Sequence, residues 1–413
     1  MELIIRNFPV RDIVFGAPSS YRDGVLTVDA QELERVVLDG LSGYAVSFDT
    51  AKPGQSCRIL HIMDAVKPAW KPEGSPFPGW LPGENRAGQG LTHRLEGMAL
   101  MQSCVYPGIQ EGIVDMAGEG ARYGPFSRTV NLVMLTTLTD PGKDKHDFAL
   151  ETERMLLRAA QYLGRLSAGC GGYEELRLDD APAAGLPTLG YICYIQAQGD
   201  LRNVHLNGGD CTAMAPVSLP PAAVLDGAVV SANYIIACQK NPTWLHQDSP
   251  VIRALWARHG TDCSFGGVIL STESSMLEDK QANARRCAQL AAGAGWDGVV
   301  ITQEGGGHAD VDLMLALDAC EALGVRAVLE TNEIAGPLGD LPPLVSCSKG
   351  ADAIVTNGNN DALVRLDGVE RSIGAGDILG GRHAAKDGFE TSLGILYAAT
   401  NQLGGVKMRT QAE

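Results

Sequence analysis

The sequence predicts an α/β protein, α+β taken as a whole, with a β-rich first half and a doubly wound parallel-sheet domain at its C-terminus. Three observations predict it. The last third alternates short apolar runs with helical patterns, the pattern of βαβ units and a parallel sheet. The first half breaks into short apolar or alternating runs punctuated by Gly, Pro and Asp. A single long helical pattern lies between them.

Taken in order, the runs 25–28, 44–48 and 58–62 read as strands. The last two flank Lys52, Pro53, Gly54 and Gln55, a tight turn with Pro early and Gly following. A loop dense in Pro and Gly follows over 71–90, long enough to suggest a functional role. Over 147–168, Leu150, Met155, Leu156, Ala159, Leu163 and Leu166 recur at helical spacing, and Gly169 and Gly171 stop the pattern. Strands are expected at 267–270, 298–301, 327–329 and 353–355, with helices at 279–292 and 311–323. Three units are expected: a β-rich domain over 1–142, a helix and central segment over 143–263, and a Rossmann-like domain over 264–413.

At 413 residues, with 45% hydrophobic and 20% charged side chains, the chain is long and apolar enough for several buried cores. A net charge of −16 lacks the basic stripe that nucleic acid or an anionic membrane surface demands. It suits a soluble protein with a small-molecule substrate. No apolar run reaches the roughly 18 residues of a spanning helix, and no secretory pattern opens the sequence, so a cytoplasmic location is expected. The 10 cysteines include no Cys-x-x-Cys pair and are expected to be reduced. The histidines lack zinc-type spacing, so no metal is expected, although ligands from remote positions would escape this reading.

In the parallel sheet, residues beyond the strand C-termini should line a ligand crevice. That rule selects 302–310, 330–333 and 356–360. Glu304, three glycines, His308 and Asp310 form a turn between a strand and a helix. Such a turn allows close backbone approach and offers N–H groups to an anion. Asp310 stands where a dinucleotide fingerprint needs its third glycine. Glu304, His308 and Asp310 are candidate substrate-binding groups; the alternative is a plain turn with Asp310 as cap. Glu111 and Asp115, among glycines in the segment 110–127, are further substrate-binding candidates, or else solvated acids in a tight loop.

At the midpoint lie Asn207, Gly208, Gly209, Asp210 and Cys211. Spacing alone reads this as a flexible turn with a bystander thiol. The alternative is that Cys211 attacks the carbonyl of Asp210, an acyl shift that ends in chain cleavage and a pyruvoyl group.

Several segments then coincide, in order, with one family. They include Pro53-Gly-Gln-Ser-Cys-Arg58 with Asp64, Gly88-Gln-Gly-Leu-Thr92-His93 and Gln110-Glu-Gly-Ile-Val-Asp115. Further on are Tyr123-Gly-Pro-Phe-Ser127 with Asn131, Asp226-Gly-Ala-Val-Val, Arg258-His-Gly260 and Glu304-Gly-Gly-Gly-His-Ala-Asp310. The chain resembles the pyruvoyl-type proprotein subunit of component B of the glycine, sarcosine and betaine reductases, with the D-proline reductase proprotein as a relative. The resemblance implies cleavage before a mid-chain cysteine, here Cys211 after Asp210. It implies a pyruvoyl cofactor derived from Cys211, electrophilic catalysis on an amino substrate, and reductive C–N cleavage. A second subunit carrying a nucleophilic cysteine or selenocysteine, in a hetero-oligomer, is implied as well. The alternatives are an uncleaved homologue that splits C–S or C–N bonds of a thio-heterocycle, as a desulfhydrase would, and a non-catalytic binding or scaffold subunit.

Overall fold

The computed structural model describes residues 2–74, 86–105, 112–179, 181–198, 203–232, 240–374, 376, 378–379, 383–401 and 403. Glu111 and Cys238 lie outside these residues, as does the middle of the 71–90 loop.

The first half is built on two four-stranded sheets. Strand Glu2–Pro9 pairs in parallel with Gly90–Glu96 and antiparallel with Glu174–Asp179. Strand Val130–Leu138 lies between Tyr44–Ala51 and Met98–Cys104, and Ile62–Val66 closes that sheet. The helix Lys145–Arg165 packs against both. Asp144 caps it by accepting from the His146 and Asp147 N–H groups, and Phe148, Met155, Leu156, Ala159 and Leu163 are buried. Gly164 lets the helix meet strand Ala69–Trp70: a Cβ there would lie 2.5 Å from the Ala69 carbonyl carbon. Helix propensity alone would favour alanine by about 1 kcal/mol; contact with the strand forbids it.

The turn at 52–55 forms with the Gln55 N–H donating to the Lys52 carbonyl at 3.2 Å. Its third residue, Gly54, has φ 82°, the left-handed position of a type II turn. The single strand expected over 58–62 is instead two strands, Cys57–Leu60 and Ile62–Val66. His61, with φ 56°, breaks the ladder between them. The first strand then pairs with Ile113–Asp115 and Arg371–Ile373, the second with Met98–Cys104.

The six-stranded sheet of the second half has five parallel strands and the antiparallel edge Val217–Leu219. In space the parallel strands run Ser264–Thr272, Thr188–Ile195, Gly298–Thr302, Arg326–Glu333, Ile354–Asn359. Numbered along the chain, that order is 2-1-3-4-5, a doubly wound arrangement whose switch point lies between the first and third strands. Alternation along Thr188–Ile195 serves two cores. Ile192 and Tyr194 join helices Leu277–Gly293 and His308–Ala322 on one face. Tyr191, Cys193 and Ile195 face helix Pro250–Arg258 and the first half on the other.

Long-range pairing crosses the unit boundaries read from the sequence. The central strand Thr188–Ile195 comes from the segment 143–263, and Arg371–Ile373 returns to pair with Cys57–Leu60. Local periodicity carries no record of either pairing. No helix among the described residues is long and apolar enough to cross a membrane.

Candidate functional site

Glu304 follows the third parallel strand and is fully buried at the switch point. Its carboxylate accepts the Gln196 N–H at 2.8 Å, from the loop after the first strand, and the Asn241 N–H at 2.8 Å. The His246 Nε2 lies 3.5 Å from the same carboxylate. The Glu304 N–H donates to the Tyr194 carbonyl and to Glu273, each at 3.1 Å. Gly305, with φ 75°, is needed at the next position, because a Cβ would sit 2.1 Å from the Gln196 side-chain nitrogen. Burial raises the pKa of Glu273 well above the carboxylate range, and Asp312 and Glu304 push the same way.

Lys240 is buried next to this carboxylate and interacts electrostatically with Glu304, Asp64, Glu153 and Cys211. Burial lowers its pKa to about 8, against the pull of those groups. Asp64 accepts from the Thr243 N–H at 3.0 Å and the Thr243 hydroxyl at 2.6 Å, so its strand in the first half docks on the same segment. Burial raises its pKa nonetheless.

Cys211 follows a two-residue hairpin. Strands Val204–Leu206 and Gly209–Asp210 pair across Asn207 and Gly208, whose φ values of 51° and 82° are those of a type I′ Asn-Gly turn. Residues 207–210 are exposed, whereas Cys211 is fully buried. Its N–H donates to the Val204 carbonyl at 3.0 Å. Burial pushes the thiol up to about 12, and the Asp210 carboxylate adds to the shift. Asp210 accepts from the Thr212 N–H at 2.8 Å and the Thr212 hydroxyl at 2.6 Å. Burial opposes its ionisation, but these bonds outweigh it and the pKa falls.

The other sequence candidates lie elsewhere. His308 is exposed at the start of helix His308–Ala322, its pKa lowered chiefly by the Lys280 ammonium. Asp310 accepts the Val345 N–H at 2.8 Å and the Gln303 side-chain amide at 3.3 Å. Asp115 accepts hydrogen bonds from Nε and Nη2 of the buried Arg58 guanidinium, at 2.6 and 2.9 Å. Arg58 also donates to the carbonyls of Asp367, Ala385 and Asp387, which fastens the C-terminal segment to the first half. Lys240 thus interacts electrostatically with both Glu304 and Cys211; His308 and Asp310 share Lys280 with Glu273, which accepts the Glu304 N–H, whereas Asp115 is held apart by Arg58. Among the described residues, no group of three or more His, Cys, Asp or Glu side chains could hold a metal ion.

Sequence reasoning missed Lys240, Glu153 and Glu273. Lys240 had a signal: it is the one cation in the otherwise apolar and polar stretch 228–245. The acids carry none, because lone carboxylates in strand and helix patterns look like solvated surface.

Across residues 1–410 the chain matches the family of glycine/sarcosine/betaine reductase component B subunits. The chain belongs to that family. Among component B relatives, it is 35% identical over 424 residues to the glycine reductase complex component B subunits alpha and beta of Peptoclostridium acidaminophilum, covering 98% of each chain. It is 33% identical over 421 residues to the protein of the same name from Acetoanaerobium sticklandii, covering 100% of this chain and 96% of that one. The sarcosine reductase complex component B subunit alpha of Peptoclostridium acidaminophilum is 31% identical over 416 residues, with 97% of each chain covered. No solved structure matches the chain.

Proposed function

We propose that this component B family member is the substrate-binding subunit of a reductase complex, that it cleaves reductively the C–N bond of a small amino acid or its N-methylated derivative, and that it is a proprotein cut between Asp210 and Cys211. The observation that carries this reading is the hairpin: it exposes residues 207–210 while burying the Cys211 side chain, with which Lys240 interacts electrostatically. The glycine reductase relatives, whose names count two subunits in one chain, support a single cut.

The processing chemistry needs only this chain and water. The Cys211 sulfur attacks the Asp210 carbonyl carbon, the peptide C–N bond breaks, and the thiol proton passes to nitrogen, leaving a thioester. Loss of the Cα proton with cleavage of the Cβ–Sγ bond releases residues 1–210 as a thiocarboxylate. One water releases the nitrogen of residue 211 as ammonia and leaves a pyruvoyl ketone. A second hydrolyses the thiocarboxylate to carboxylate and hydrogen sulfide.

A pyruvoyl group supplies an electrophilic carbonyl to an amino substrate. The residues around position 211 fit such a group: the site is buried, and Lys240, whose pKa burial lowers to about 8, interacts electrostatically with it. Lys240 is placed to hold or release a proton there. Glu304, through Asn241 and Gln196, positions the segment that carries Lys240. A second subunit would bring the cysteine or selenocysteine nucleophile to the substrate carbon.

Denaturing electrophoresis and intact mass of the purified chain test the proposal. Fragments 1–210 and 211–413 are expected, the second resistant to Edman degradation, and Cys211→Ala should leave the chain whole. A catalytically active preparation containing only the intact chain would overturn it.

A further inference from the structure

We infer that the cavity against Trp244 is a binding site for a small organic acid, one carboxylate carried on an apolar body. The cavity measures about 420 Å³ and lies where the turn before strand Val130–Leu138 meets helices Thr243–Gln247 and Pro250–Arg258. Small-molecule sites ordinarily span roughly 300–1,000 Å³. The processing reaction proposed above uses none of the residues that line it.

Its floor is apolar. Pro125, Trp244, Leu245 and Pro250 line it, and the Trp244 ring is held by three contacts. The indole N–H donates to the Met98 carbonyl at 3.3 Å, the Phe126 ring meets it edge-on at 5.3 Å, and the Lys67 ammonium stands 4.5 Å from its centroid. A ring fixed in this way receives a ligand without the entropic cost of ordering it.

The charge around the cavity is positive, in a chain whose net charge is −16. Lys67, Arg94, Arg128 and Arg253 stand against Glu96 and Asp248. Both acids are already engaged. Lys67 donates to Glu96 at 2.6 Å and pairs with Asp248 at 3.0 Å, Arg94 approaches Glu96 at 3.5 Å, and Arg253 pairs with Asp248. Burial opposes the ionisation of Asp248, yet its pKa falls because Lys67, Arg253 and Arg94 outweigh burial. Arg128 is exposed on the cavity wall, and among the described residues its guanidinium has no hydrogen bond or ion pair. A planar carboxylate takes two parallel N–H bonds from such a fork. An inorganic anion would leave the apolar floor uncovered, and an uncharged ligand would leave Arg128 unused; an apolar acid satisfies both.

The cavity backs onto the buried charges. Trp244 and Leu245 share a helix with Thr243, which donates to Asp64, and with His246, 3.5 Å from Glu304. A ligand on the outer side of this helix braces the segment that makes those contacts.

Calorimetric titration of the full-length protein with phenylacetate, acetate, inorganic phosphate and phenethylamine tests the site, in wild type, Arg128→Gln and Arg128→Glu. Phenylacetate should bind, and acetate and phosphate at least about tenfold more weakly for want of the apolar body. Phenethylamine should not bind. Arg128→Gln should weaken phenylacetate about tenfold and Arg128→Glu should abolish it, each with an unchanged Tm because the side chain is exposed. Hydrogen exchange should show added protection over 243–247 with phenylacetate in wild type and none in Arg128→Glu. Absence of phenylacetate binding, equal affinity in all three proteins, or phosphate binding as tightly as phenylacetate would overturn the assignment. Binding of an acidic peptide without binding of phenylacetate would also overturn it, and would give the cavity to a protein partner. None of these results touches the processing reading, whose test is the chain cut itself.

Discussion

One oxygen of Glu304 accepts the Asn241 N–H at 2.8 Å, and this bond fixes the backbone beside Lys240 against the switch point of the parallel sheet. The other oxygen takes the Gln196 N–H. A single buried carboxylate therefore joins the third strand, the loop after the first strand, and the segment that reaches Cys211.

If Lys240 and Glu304 act as a coupled pair, their substitutions should not be additive. Lys240→Met and Glu304→Gln should each destabilise the fold, because each leaves a buried charge without its complement. A double-mutant cycle by urea unfolding should return a coupling of about 1–3 kcal/mol. Additive effects would show that the two side chains do not sense one another.

Arg58 and Asp115 form a two-bond ion pair with both side chains buried. Arg58→Met should cost about 3–5 kcal/mol, because it strands the Asp115 carboxylate and frees the carbonyls of Asp367, Ala385 and Asp387. Asp115→Asn should lower the urea midpoint without a separate change in ligand affinity. Loss of affinity at unchanged stability would instead assign Asp115 to the substrate.

His205 pairs with Asp210 across the hairpin. Burial lowers its pKa to about 4, while Asp210 opposes the shift. The unfolded chain then binds the extra proton first as pH falls below about 6.5, the ordinary value for histidine. Stability is complete above that value and declines as pH drops toward 4, by about 2 kcal/mol at pH 5. Urea unfolding at pH 7 and pH 5 should show this slope in wild type, and His205→Phe should flatten it.

Much of the second half was legible in the sequence because its signals are local. The strand expected at 298–301 is Gly298–Thr302, and the helices expected at 279–292 and 311–323 are Leu277–Gly293 and His308–Ala322. The long divider helix, expected over 147–168, spans Lys145–Arg165. The break at His61 was hidden, since a positive φ at a histidine leaves no mark in the apolar pattern. The partners of Glu304 were hidden for another reason: Gln196 and Asn241 are more than 60 residues from it along the chain.

The sequence by itself determined the α/β class, the family, the crevice rule that selects Glu304, and the flexible turn before Cys211. These rest on periodicity, on glycine and on motif order, all properties of neighbouring residues. Only the tertiary structure decided that Asp115 pairs with Arg58, that the Asn332 side chain is buried without partners, and that Lys240 interacts electrostatically with both Glu304 and Cys211. Burial and electrostatic pairing depend on which distant segments share a low-dielectric interior, and no local pattern encodes that.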